Sequence, residues 1–133
     1  MSCFLYAEER GCSLVPLEPD EPRRSEILAL QKAAYSDLAE SDPRAEALFG
    51  EFVTLFYDQL FSSWKSVLDV HSEATQALIR MKHAFQERVY GEGEVTGWQA
   101  WNGHFLERIE LAAAQHHDAR ILVCVGVEHL YWL

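Results

Sequence analysis

From Arg24 to about Ser41 the apolar residues Ile27, Leu28, Leu30, Ala34, Tyr35 and Leu38 recur at steps of three and four, which predicts a helix with one buried face. Ser41-Asp42-Pro43 ends it and starts another, since proline is suited to a first helical turn where its missing N–H is no loss. The second stripe runs Ala45, Leu48, Phe49, Phe52, Val53, Phe56 and Leu60 and is rich in phenylalanine. After a break at Ser62-Ser63 a third stripe follows, Ala74, Ala77, Leu78, Met81, Phe85 and Val89, closed by Gly91-Glu92-Gly93. A fourth runs from Trp98 through Trp101, Phe105, Ile109 and Ala112 to His116-His117. Ahead of these, Ser2 to Arg10 reads as the last turns of a helix that stops at Gly11.

Two segments break the helical period. Cys12 to Glu18 is short and apolar between Gly11 and Pro19, and reads as a strand in which Pro16 removes one ladder donor. Arg120 to Gly126 is continuously apolar after its arginine and rich in valine and isoleucine, as in a strand covered on both faces. Helices separating two such strands predict an α/β fold: predominantly helical, with strands at 12–18 and 120–126 parallel in an incomplete sheet. A lone pair of strands has little stability in water, and Val127 to Leu133 resembles a helix cut short after its first turns. The expectation is therefore one domain over 1–133 that is a fragment of a larger α/β domain, its sheet completed by a missing N-terminal half or by a homodimer.

Composition narrows the function classes. Eleven Lys plus Arg stand against twenty-one Asp plus Glu, for a net charge of −10, and no basic patch is present, which argues against nucleic acid and anionic lipid as partners. No apolar run approaches the roughly 18 residues of a membrane helix, and no signal peptide opens the chain. Cys3, Cys12 and Cys124 lack CxxC spacing, so neither a disulfide framework nor a thiolate zinc site is indicated, and reduced thiols in a cytoplasmic protein are expected.

Candidate chemistry concentrates at two places. Gly126-Val127-Glu128-His129 follows the carboxyl end of the second strand, where open α/β sheets place their ligand sites; glycine permits a sharp turn there, and the imidazole of His129 can hold a metal or move a proton. Asn102 falls on the apolar face of the fourth helix, where an unpaired amide would cost roughly 1–3 kcal/mol, so it must find partners. A structural hydrogen-bonding role is open for both residues. His104, Glu107 and Arg108 read as a solvated face, His71 and His83 are isolated, and Glu92 and Glu94 read as solvated turn residues. The Phe-rich helix reads as core, with a flat apolar ligand as its alternative use. Walker, GxSxG and HExxH patterns are absent.

Three stretches resemble the C-terminal half of the TraB/TIKI-like superfamily, which also includes haem-binding ChaN proteins and erythromycin-esterase-like enzymes. Phe4 to Gly11 followed by Leu14 to Glu18 is similar to its helix-to-strand passage, Trp101-Asn102-Gly103-His104-Phe105-Leu106-Glu107-Arg108-Ile109 to its RNxxMxxxI helix, and Arg120 to His129 to its closing strand with the second GxxH. Trp101 stands where that family has arginine, and the first GxxH with its acidic partner has no counterpart in this chain. The resemblance implies a portion of a metal-dependent hydrolase, with His129 as general base or ligand to a divalent metal, Asn102 positioning it, and Gly126 and Glu128 beside it. Such a portion would be inactive alone. The alternatives are a non-catalytic interaction module and a haem or small-ligand carrier.

Overall fold

The computed structural model describes residues 3–133, with side chains from Leu5 onward. Ser2, the first residue of the expected closing turns of a helix, and the side chain of Phe4 lie outside the described residues. Among the described residues six helices follow one another, α1 (Cys3–Arg10), α2 (Arg23–Ser41), α3 (Pro43–Ser63), α4 (Val67–Val70), α5 (Glu73–Tyr90) and α6 (Glu92–Gln115), and then a 3-10 turn at Val127–His129. The punctuation works as local chemistry requires. Asp42 caps α3 by accepting from the Ala45 amide at 3.0 Å, with Pro43 at the first position. Ser72 caps α5 through the Thr75 amide at 3.2 Å. Gly91 adopts φ +77, a left-handed conformation that separates α5 from α6 and that a side chain would strain.

The described residues are 74% helical and contain no strand, so the expected two-stranded α/β fold is corrected to an all-helical one. Residues 12–18 and 120–126 are extended, yet no main-chain hydrogen bond joins one to the other among the described residues. Two isolated runs gain too little from one ladder, and Pro16 lacks a donor. Both segments instead lie along the apolar face of α6, where the Arg108 guanidinium donates to the Pro16 carbonyl at 3.3 Å.

α2 packs against both α3 and α6, and α5 packs against the same two helices. Small residues allow the closest approach. A Cβ at Gly97 would stand 2.6 Å from Gln31 Cγ, and one at Gly93 would stand 3.2 Å from Ala34 Cβ, so the first turns of α6 nest on α2. α6 thus begins at Glu92, a turn and a half before the first residue of the expected stripe, and Glu94 is buried in this contact rather than solvated. Ile27 and Ile79 centre the core, with Phe49, Leu60, Trp98 and Phe105 around them.

α5 departs most from its pattern. Its apolar stripe was expected to face inward, but Ala74, Ala77, Leu78, Met81 and Phe85 are exposed, and Thr75, Ile79, Lys82 and His83 are buried. The inversion is stable because the polar groups turned inward find partners there.

Candidate functional site

Asn102 is 0% exposed, and both ends of its amide are used. Its Nδ2 donates to the Trp98 carbonyl at 2.8 Å, one helical turn back. A carbonyl only accepts, so Oδ1 is the atom left to face His129, whose Nδ1 lies 2.8 Å away. Nδ1 must carry the proton in this bond. The arrangement selects one imidazole tautomer and leaves the Nε2 lone pair, which makes no hydrogen bond or ion pair among the described residues. Burial pushes the His129 pKa below its ordinary value, so the ring is neutral and Nε2 basic near neutral pH.

The ring of His129 is held by stacking as well. Trp98 stacks on two imidazoles, that of His129 at 4.7 Å and 20° between planes and that of His83 at 4.2 Å and 20°. Phe105 meets His129 at 4.9 Å. The Trp98 indole N–H donates to the Tyr131 hydroxyl at 3.0 Å, which fixes the residues after the 3-10 turn to α6.

His129 and Gly126 line a groove of about 920 Å³ between the outer face of α6 and the two extended segments. Trp101, Phe105 and Ile109 form its helical wall, with His116 and Arg120 as polar members at the far end of α6 and Ser13 and Glu18 as polar members on the first extended segment. Gly126 has φ −63 and ψ 150, ordinary extended backbone, and a Cβ there would meet the His129 ring at an ordinary 3.7 Å. The chain does turn here, the Gly126 carbonyl accepting from the His129 amide at 3.0 Å, but through a backbone conformation that does not require glycine. Trp101 contributes an apolar wall to the groove.

Glu128 points elsewhere. One oxygen lies 2.7 Å from the Lys82 ammonium, at an angle that makes it a charge contact rather than a hydrogen bond, and the other lies 3.7 Å from His83 Nε2. Lys82 also stands 3.2 Å from His83 Nε2 and donates to Gln86 Oε1 at 3.1 Å; Gln86 passes a hydrogen bond on to Glu94 at 2.8 Å. Burial pushes Lys82 down to about 8, with the Glu94 charge resisting. Burial also raises Glu94 and Glu128 above the usual carboxylate range; the neighbouring Tyr35, the Lys82 charge and Gln86 pull Glu94 partly back. His83 falls to about 3, through burial first and then the charges of Lys82 and His129. One Glu94 oxygen is buried without a partner among the described residues.

The structure thus brings together His129 and Asn102 and sends Glu128 into a separate buried cluster with Lys82 and His83. Sequence reasoning missed that cluster. Its only local trace was the Lys82 and Gln86 pair at helical spacing, and nothing in the chain before Tyr131 hinted that the last residues fold back over α5.

A lone divalent metal does not fit these donors. Among the described residues no group of three or more His, Cys, Asp or Glu side chains could hold an ion, and Glu128 faces Lys82 and His83 rather than His129. Among the described residues no helix is long and apolar enough to cross a membrane. No family model, curated protein or solved structure matches the chain.

Proposed function

We propose that the protein binds a small apolar ligand in the groove beside α6, with His129 Nε2 as the polar anchor. The observation that carries this reading is the 2.8 Å bond from His129 to a fully buried amide, which fixes the ring and leaves its lone pair beside an apolar groove. Haem is the ligand class that the ChaN side of the resemblance implies, and the donor chemistry suits it: a single neutral imidazole whose other nitrogen is hydrogen-bonded, as His129 is, would hold its iron through Nε2. Trp101, Phe105 and Ile109 would lie against the macrocycle, and Arg120 offers a guanidinium for its carboxylates.

A hemin titration tests it. The wild-type chain is expected to shift the Soret band with saturation near one equivalent, His129→Ala to lose the shift, and Asn102→Ala to weaken it. Identical spectra for wild type and His129→Ala would end the reading.

A hydrolytic role, implied by the TraB/TIKI-like resemblance, would use the same lone pair as a general base. Such chemistry needs a second group at the substrate, and Glu128, the nearest carboxylate in sequence, is committed to Lys82 and His83. On this reading the chain alone is inert, and p-nitrophenyl acetate should turn over no faster with wild type than with His129→Ala.

A further inference from the structure

α3 and α5 present a second apolar surface, on helices that do not line the His129 groove. They run antiparallel: Phe49 and Phe52 near the start of α3 touch Phe85 near the end of α5, at 5.7 and 5.1 Å. Between them lies a groove of about 550 Å³ lined by Leu48, Phe52, Leu55 and Leu78, with Glu51 and Gln59 as polar members. Leu48 is 55% exposed and Leu55 63% exposed. The exposed stripe of α5 continues the surface through Met81 and Phe85. Because α5 turned its polar face inward, Leu78 and Met81 stand exposed, and Phe85 is covered only in part by the rings of Phe49 and Phe52 among the described residues. A contiguous apolar surface of this kind on a folded chain marks an interaction site, and methionine in it favours adaptable packing.

The groove positions on α3 fall at Leu48, Phe52, Leu55 and Gln59, a line of three turns and about 16 Å. That length and straightness match a helix laid in a groove. Charge selects between occupants. Glu51 lines the groove, and Asp58 is exposed two turns further along α3. In a chain of net charge −10, a second copy would bring carboxylates against carboxylates, whereas a helix flanked by Lys or Arg would meet them favourably.

We propose that the α3/α5 groove is a docking site for a basic amphipathic helix of a partner protein. The interaction is independent of the His129 reading, and either can fail without the other. The test uses the full chain and a fluorescein-labelled 18-residue helical peptide of leucine and lysine at amphipathic spacing, with a leucine and glutamate peptide as control, read by anisotropy. Wild type should bind the lysine peptide with micromolar affinity and the glutamate peptide at least tenfold more weakly. Leu55→Gln and Glu51→Lys, both exposed positions whose folding is checked by circular dichroism, should each weaken binding about tenfold, and Leu122→Gln in the other groove should not. Equal affinity for both peptides, no binding, or unchanged affinity in both α3 variants would overturn the proposal. So would a dimer in sedimentation that dissociates on Leu55→Gln, which would assign the groove to a second copy.

Discussion

His83 is 3% exposed, stacked on Trp98 at 4.2 Å with its Nε2 3.2 Å from the Lys82 ammonium, so protonating it means placing a second cation in a buried site. Its pKa of about 3 in the fold, against 6.5 in the unfolded chain, gives acid sensitivity a definite sign. The folded state holds the ring neutral, while the unfolded chain takes up a proton as pH falls below 6.5. The contribution of this residue to stability is therefore complete above that value and is lost progressively toward pH 3. At pH 5 the unfolded ring is almost wholly protonated and the folded ring is not, which amounts to about 2 kcal/mol lost relative to pH 7. His83→Phe keeps an aromatic ring on Trp98 and removes the titrating group. Urea unfolding of both proteins at pH 7 and pH 5 isolates the effect, since the opposing gain from the raised carboxyls of Glu94 and Glu128 is common to the two. The variant should be less acid-sensitive than wild type by about 2 kcal/mol. Equal pH dependence, or an NMR titration of the His83 ring near 6.5, would refute the reasoning.

Three further outcomes follow from the same geometry. Asn102→Ala should destabilise by roughly 1–3 kcal/mol in urea unfolding, by leaving the His129 N–H without its acceptor, and long-range nitrogen NMR should show His129 leaving its single tautomer. Gly126→Ala should change stability by less than about 0.5 kcal/mol, because its backbone is extended and a Cβ meets only an ordinary contact; a large loss would mean that the loop holds another conformation. Lys82→Met and Glu128→Gln should each destabilise, and the double variant should recover part of the loss with a coupling of about 1–3 kcal/mol; simple additivity would show that the 2.7 Å contact carries no energy.

Much of the architecture was legible in the chain itself. Three- and four-residue apolar spacing located α2, α3, α5 and most of α6, and Asp42-Pro43, Ser62-Ser63 and Gly91 marked boundaries, because capping and helical period are local properties. Asn102 was legible too: an amide on an apolar helical face must be partnered, and both its donor and its acceptor are. What tertiary structure alone decided is where each face points. The runs at 12–18 and 120–126 have strand-like composition, but a strand exists only when another backbone accepts its hydrogen bonds, and no composition specifies that. The apolar stripe of α5 lost the core to Lys82 and His83, since groups distant in sequence, Glu128 on the 3-10 turn and Trp98 on α6, supply the contacts that make burying them affordable. Periodicity shows that a helix has two faces; only the partners available across the fold determine which one stays dry.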